Sequence, residues 1–505
     1  MSGQEEAMAF LGSPAAFGGT GPVERLDTHG AVIFLSGDAA LKLKRAVRYD
    51  YMDLSTPEKR RTLLERELEL NAPAAPTIYR EVLPVTRGPE GLRLGGEGEA
   101  LDWVLRMRRF RAEDELEAVA ERGALDGALA DEIGRMVARY HEAAPVREEA
   151  GARLIGEILD ELGRVFADFP GAAGMERVSD WSTASRAALA AAAPLLDARG
   201  RGGHVRRGHG DLHLRNIVLV EGRPVPFDAL EFDERLGTCD VLYDLGFLLM
   251  DLLHRGLGAA ACRALSEYLL AARGREDAGL AALPLFLSAR AAIRAMVLLQ
   301  TDAARGRAGA SAAEIGAYLG EAMTALAPRP ARLVAVSGFS GTGKTVLARA
   351  LAPGLGAKPG AVHLSTDLER KAARGLDATE RLSGAAYSEA ARGEVYAALI
   401  RRAETILRAG HSVVIDGAFL ESERRHEVER LAARLGVPAA FFWLAAPQDV
   451  LEARVAGRKG DASDADLSVL RRQFSLDLGE MRWRRLDASG TPEETAGAAR
   501  AALDP

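Results

Sequence analysis

Two short apolar runs, Ala31–Ser36 and Ala40–Lys44, flank Gly37-Asp38, the pattern of a β-hairpin. In the second run Leu41 and Leu43 alternate with Lys42 and Lys44, which places both lysines on one face of the strand. Thr56–Leu70 reads as a helix, with Glu65, Glu67 and Glu69 in its second half. Residues 79–86 and 101–108 read as further strands, the latter carrying Met107 towards a hinge. An apolar stripe at helical period predicts a helix over Leu125–Ala144, with His141 near its end in a structural role. Helical patterns continue to Leu196, Ile217–Val220 is an apolar strand, and helices resume up to Leu326. Residues 1–22 show no such order and are expected to be loosely structured. Beyond Ala327-Pro328-Arg329-Pro330 the pattern changes. Four short apolar strands, at Leu333–Ser337, Ala361–Leu364, Ser412–Ile415 and Ala440–Leu444, alternate with helices, which predicts a parallel sheet covered on both faces. The two prolines mark a boundary, giving domains at 1–328 and 331–505.

Composition narrows the class. A chain of 505 residues is too long for one ordinary core. The net charge of −7 offers no bulk positive field for nucleic acid or an anionic membrane. Cys239 and Cys262 form neither a metal-binding spacing nor a disulfide framework, as expected in a reducing cytosol. The start of the chain, with Gln4-Glu5-Glu6, lacks the features of a signal peptide. The most apolar stretch, Leu280–Leu299, contains Pro284, Arg290 and Arg294 and reads as a buried helix rather than a membrane span. The expectation is a cytoplasmic protein with neither nucleic acid nor membrane as partner.

The chemistry concentrates in two places. His209-Gly210-Asp211-Leu212-His213-Leu214-Arg215-Asn216 follows a basic run and precedes the strand Ile217–Val220. An Asp and an Asn five positions apart on a tight loop suit phosphoryl transfer: Asp211 to orient and deprotonate a hydroxyl, Asn216 to hold Mg²⁺. Asp228, just past the next strand, stands where such a site takes its principal metal ligand, with Glu231 three residues on. A strand lysine followed by a helical glutamate, as Lys42 or Lys44 followed by Glu65, Glu67 or Glu69 offers, is the arrangement that holds nucleotide phosphates in kinase-like folds. The second place is Gly338-Phe339-Ser340-Gly341-Thr342-Gly343-Lys344-Thr345, a P-loop in its strand–loop–helix context. Its glycines let backbone N–H groups close around phosphate, Lys344 reaches the β/γ-phosphates, and Thr345 is a Mg²⁺ ligand. Asp367 and Asp416 end two strands of the same sheet and should face this loop, Asp367 towards an acceptor hydroxyl and Asp416 towards Mg²⁺. Arg454 and Arg458 share a helix face, either as a lid gripping the phosphoryl group or as solvent-facing arginines.

These motifs carry resemblances. His209-Gly210-Asp211 with Asn216, Asp228 and the Asp240/Asp244 segment resembles the aminoglycoside phosphotransferase family, over roughly residues 25–320. The resemblance implies a protein-kinase-like fold, with Asp211 as catalytic base, Asn216 and Asp228 as Mg²⁺ ligands, and Lys42 with Glu67 as the phosphate-positioning pair. Asp244, at the start of an apolar helix, reads as an N-cap or a brace for the Asp211 loop, a structural role either way. No G-x-G-x-x-G precedes Lys42; Thr28-His29-Gly30 and Ser36-Gly37-Asp38 are the only candidates. Residues 331–505 resemble small P-loop kinases of the gluconate kinase, chloramphenicol phosphotransferase and zeta-toxin kind. The pair resembles bacterial proteins in which an aminoglycoside phosphotransferase-like domain is fused to an AAA-type ATP-binding domain. The expected fold is therefore a bilobal kinase-like domain followed by a P-loop parallel α/β domain. The expected activity is ATP- and Mg²⁺-dependent phosphorylation of a small-molecule hydroxyl. The alternative is a regulatory ATP-binding protein in which one domain switches the other.

Overall fold

A computed structural model describes residues 3–49, 52–169, 175–376, 380, 382, 388–457 and 464–503. The strands are β1 (Glu24–Asp27), β2 (Ala31–Ser36), β3 (Ala39–Lys44), β4 (Arg48–Tyr49), β5 (Met52–Asp53), β6 (Tyr79–Gly88), β7 (Gly91–Leu94), β8 (Glu99–Arg108), β9 (Val205–Arg207), β10 (Ile217–Val220), β11 (Arg223–Pro226), β12 (Thr238–Asp240), β13 (Leu333–Gly338), β14 (Val362–Ser365), β15 (Val413–Asp416), β16 (Ala439–Ala445) and β17 (Arg484–Asp487). The helices up to the P-loop are α1 (Gly3–Leu11), α2 (Pro57–Asn71), α3 (Leu116–Glu121), α4 (Gly127–Ala143), α5 (Gly151–Asp168), α6 (Met175–Arg201), α7 (Glu234–Gly237), α8 (Val241–His254), α9 (Gly258–Ala271), α10 (Leu283–Ala304) and α11 (Ala312–Leu326). Beyond it lie α12 (Lys344–Leu351), α13 (Thr366–Ala372), α14 (Glu389–Arg408), α15 (Ser422–Leu435), α16 (Gln448–Ala456), α17 (Leu467–Phe474) and α18 (Pro492–Leu503). The chain divides into two compact units: residues 1–125, 144–147 and 204–244, and residues 126–143, 148–203 and 245–505.

The first unit is organised by an antiparallel sheet of order β1-β2-β3-β8-β6-β7. Alternation along β3 works as the side-chain period requires. Leu41 and Leu43 enter a core with Val32, Phe34, Val85 and Val104, which α1 covers with Ala7 and Leu11. The expectation of loose structure at 1–22 is thus corrected: Ala7 and Leu11 are fully buried, and Gln4 donates from Nε2 to Asp102 at 2.7 Å. Short, mildly apolar helices that gain their stability from tertiary packing leave little trace in a sequence pattern. On the other face α2 lays Leu64 against Ala75, Ile78, Tyr79, Leu105 and Val218. Thr56 caps α2 by accepting from the Lys59 N–H. Both candidates for a nucleotide loop are hairpin turns, Thr28–Gly30 between β1 and β2 and Gly37-Asp38 between β2 and β3.

The second unit combines the helices of residues 126–326 with a five-stranded parallel sheet of order β14-β15-β13-β16-β17. The strand expected at Ala361–Leu364 is β14, at Ser412–Ile415 β15 and at Ala440–Leu444 β16; β17, a short strand rich in charge, escaped the apolar criterion. One helical stretch among the described residues, Asp277–Ala304, is long and apolar enough to cross a membrane, but 67% of its most apolar window is buried inside the protein. Within it the Arg290 guanidinium lies 4.7 Å over the Phe247 ring. His141 is held structurally, its Nδ1 3.0 Å from the Tyr268 hydroxyl.

The helix α9 belongs to the same core as the parallel sheet. Cys262 packs with Val334, Leu347 and Ala361 and donates its thiol to the Ala361 carbonyl at 3.3 Å. Burial pushes that thiol up to about 12, so it acts as a small apolar side chain. Arg402 of α14 donates to both Asp277 oxygens, at 2.8 and 2.9 Å, and to Glu369 of α13.

His411, just before β15, is fully buried with Nε2 2.9 Å from the Gly360 carbonyl, and burial lowers its pKa to about 4. The native state therefore refuses a proton that the unfolded chain accepts below about 6.5, so stability rises with pH across that interval. We expect the second unit to lose about 3 kcal/mol between pH 6.5 and 4 through this group. His411→Gln, which keeps a donor for Gly360, should flatten the slope in calorimetric unfolding; an unchanged slope would exclude His411 as its source.

Candidate phosphoryl-transfer sites

In the first unit the lysine-bearing face of β3 meets α2. Lys42 Nζ lies 2.7 Å from Glu67 Oε1 and 2.8 Å from Asp228 Oδ1. Lys44 Nζ lies 2.6 Å from Glu67 Oε2 and 2.6 Å from Glu231 Oε1. Glu67 is wholly buried, and each of its oxygens faces one lysine. Burial alone would favour loss of the Lys42 proton, but Asp228, Glu67 and Glu231 raise its pKa well above the ordinary value. Burial would likewise raise the Asp228 carboxyl; Lys42, with Lys44 and His209 behind it, instead brings it down to about 2. Glu231 is committed to Lys44, and burial leaves its own carboxyl above the ordinary range.

The loop that carries Asp211 runs between the β9–β12 pair and the β10–β11 hairpin. Its shape is set by Asp244, at the start of α8, whose oxygens accept from the His209 N–H at 2.7 Å and the Gly210 N–H at 3.0 Å. A side chain at position 208 would bring its Cβ within 2.6 Å of that carboxylate, so Gly208 has to be glycine. Asp244 is the brace rather than an N-cap. His209 is buried, and burial lowers its pKa, so the neutral ring places Nε2 2.9 Å from the Phe227 carbonyl. That contact fixes the residue immediately before Asp228, which sits at φ 61, an uncommon value for a non-glycine residue. The Asp228 N–H donates to the Tyr79 hydroxyl at 3.0 Å, and the Ala229 N–H donates to Asn71 Oδ1 at 2.9 Å.

Asn216 donates from Nδ2 to Asp211 Oδ2 and to the Asp211 carbonyl, each at 2.9 Å, so its Oδ1 is turned away from the carboxylate. His213 Nε2 lies 3.3 Å from the same Asp211 oxygen. Phe227 N–H donates to the Asn216 carbonyl at 2.9 Å, which brings Asn216 and Asp228 to the same end of the hairpin. Of the sequence-derived residues, Lys42, Glu67 and Asp228 thus form one bonded group and Asp211 and Asn216 another, the two linked by the main-chain bond between Phe227 and Asn216. Met107 lies on β8 opposite Tyr79 and packs half-buried in the cluster that contains Leu105 and Tyr79. Sequence reasoning missed Asn71, Tyr79 and the Lys44–Glu231 pair. Of these only the second lysine on the β3 face gave a signal.

In the second unit the P-loop joins β13 to α12. At Gly338, φ 144, an added Cβ would meet the Leu444 carbonyl at 2.6 Å. Gly341 and Gly343 also have positive φ, and the loop turns around the Phe339 carbonyl, which accepts from Thr342 Oγ1 at 2.8 Å and Lys344 Nζ at 3.0 Å. The Ser340 N–H donates to Gln473 Oε1 of α17 at 2.9 Å, a contact the sequence did not announce. Asp416 ends β15, next to β13. Burial opposes its charge, but His363 at 2.9 Å and the hydroxyls of Thr345 and Ser365 hold its carboxyl below the ordinary range. Asp367, in the first turn of α13, pairs with Arg370 at 2.8 Å and keeps about a third of its side chain exposed. Arg454 donates to the carbonyls of Ala488, Ser489 and Gly490, bracing the turn after β17, a role neither alternative anticipated. Arg458 lies outside the described residues.

The AAA domain family (AAA_33) matches residues 333–476. Over 498 residues the chain is 32% identical to uncharacterized proteins of Mycobacterium tuberculosis and Mycobacterium bovis, covering 94% of this chain and 94% of each relative. Among solved structures it is similar to a choline/ethanolamine kinase family protein from Mesorhizobium loti, with TM-score 0.39 and 20% identity over 64% of this chain and 99% of that one. It is also similar to a gluconokinase from Sinorhizobium meliloti 1021, with TM-score 0.26 and 24% identity over 35% of this chain and 93% of that one.

Asp244→Ala would leave two buried N–H groups without their acceptor, at about 1–3 kcal/mol each. The expected result is a loss of about 2–6 kcal/mol in the first unit, read by urea unfolding through Trp103, the only tryptophan in that unit. A change within about 0.5 kcal/mol, the range of an ordinary surface substitution, would remove Asp244 as the brace of the loop.

Proposed function

We propose that this chain, which belongs to the same family as the full-length mycobacterial relatives, is an ATP-dependent phosphotransferase with two nucleotide sites, each acting on a small-molecule hydroxyl. The observation that carries the reading is the bonded set Lys42–Glu67–Asp228 with Asp211–Asn216 in one unit. A binding module has no chemical need for a positioned carboxylate, an amide oxygen and a charged lysine together.

The donors fit Mg²⁺. Among the described residues no three His, Cys, Asp or Glu side chains form a closed metal cage. Asn216 and Asp228 instead offer one amide oxygen and one ionised carboxylate, and Mg²⁺ is commonly bound by one or two such groups completed by phosphate oxygens and water. Bound Mg²⁺-ATP would supply the γ-phosphoryl group and the cation that spreads its charge. The chain's own residues do the remainder. Lys42, kept protonated by its carboxylates, attracts phosphate oxygens. Asp211, oriented by Asn216, accepts the proton of the acceptor hydroxyl. In the second unit the P-loop N–H groups and Lys344 hold phosphate, Thr345 and Asp416 serve the cation, and Asp367 faces the acceptor.

A second reading, in which the P-loop part switches the helices it is built on, is supported by Arg349 of α12. Its Nη2 lies 3.4 Å from Asp131 of α4 and 3.6 Å from Glu267 of α9.

Two substitutions test these assignments in the full-length protein against a panel of small alcohols and sugars. Asp211→Asn should lower first-site turnover by about 10²–10⁴ with ATP affinity retained. Near-normal turnover would sink the assignment. Lys344→Ala should abolish nucleotide use at the P-loop and leave first-site kinetics unchanged. If first-site kinetics change as well, the switching reading gains over two independent sites.

A further inference from the structure

Resting on the reading of the P-loop as a second nucleotide site, we propose that His363 is a positioning residue for the cation end of that site, acting through Asp416. Asp416 is buried and ionised, so the His363 Nε2–H donates to its Oδ2 at 2.9 Å. That bond joins two buried side chains on neighbouring strands, so the carboxylate cannot turn without breaking it. The Thr345 and Ser365 hydroxyls join His363 in holding the carboxyl below its ordinary range. His363 thus secures the orientation of a carboxylate that serves the cation.

The imidazole is itself anchored. His363 lies on β14 opposite Val414, and its side chain keeps only 6% of its surface exposed. Its backbone N–H donates to Ser266 Oγ of α9 at 3.1 Å, and Ser266 Oγ–H donates to the Cys262 carbonyl at 3.0 Å. The order of connection runs from α9 through β14 to the end of β15. A phenylalanine of similar volume would fill the same space and pack the same sheet, so packing alone does not call for a ring nitrogen facing Asp416.

The test uses the protein with Asp211→Asn, which suppresses first-site transfer, and follows against Mg²⁺ concentration both ATP turnover and, by calorimetry, the share of ATP binding that Lys344→Ala removes. His363→Phe should raise the half-saturating Mg²⁺ concentration about tenfold or more, the usual effect of removing a partner behind a metal ligand, while KM for ATP at saturating Mg²⁺ stays within about twofold. His363→Gln, which keeps an N–H donor of nearly the same reach, should recover most of the loss. A merely structural histidine would shift neither the Mg²⁺ requirement alone nor distinguish Gln from Phe. An unchanged Mg²⁺ requirement in His363→Phe, or equal losses in both variants, overturns the proposal. Should the Phe protein not fold, His363→Asn, too short to reach Asp416, is expected to give the same shift, and its absence overturns the proposal equally. If the Asp211→Asn protein has no turnover that Lys344→Ala removes, the second-site reading itself fails, and this inference fails with it.

Discussion

Glu67 has no accessible surface, and a carboxylate in that position has to be neutralised. The first unit answers with two ammonium groups from one strand face, one on each oxygen. The lysines then carry the charge outward to Asp228 and Glu231, two positions of a segment far along the chain. A buried ionic group of this kind contributes little net stability against an apolar substitute, but losing one member strands the others and costs about 3–5 kcal/mol. The network therefore fixes where α2, β3 and the segment after β11 stand relative to one another, and the reactive loop inherits that placement.

The loop is held from behind in the same manner. Asp244 ties two successive N–H groups, His209 ties the carbonyl before Asp228, Tyr79 takes the N–H of Asp228 and Asn71 that of Ala229. The left-handed backbone at Asp228 persists because its neighbours over-determine it. Preorganisation of this type lets Asp211 and Asn216 keep their relative geometry without a ligand to impose it.

The P-loop unit follows a different logic. Its anion-binding features are backbone features, set by three glycines with positive φ and by the N-terminus of α12. Side chains enter at the strand ends, where β13, β14 and β15 lie side by side and bring Thr345, Ser365 and Asp416 together. The sheet is finished against α9, with Cys262 in its core and Ser266 on the backbone of β14, so the proline-marked boundary in the sequence does not separate the hydrophobic cores as cleanly as it separates the motifs.

Local chemistry with a short repeat was legible in the sequence. The alternation of Leu41 and Leu43 with Lys42 and Lys44, the Asp211–Asn216 spacing and the glycines of residues 338–343 each need only a few neighbouring residues to specify a geometry. What the sequence could not reveal rests on pairing between distant residues. No spacing tells that Glu231 meets Lys44 rather than a metal, or that Arg454 spends its guanidinium on three carbonyls. None tells that residues 3–11 form a helix, since its stabilising contacts lie on a sheet made by later residues. His363 belongs with these: one histidine in an apolar strand carries no signal until β15 is laid beside β14 and Asp416 arrives within hydrogen-bonding reach. Motif and period determined which groups this chain possesses; tertiary structure decided which of them touch, because a hydrogen bond or an ion pair depends on separation in space and is indifferent to separation along the chain.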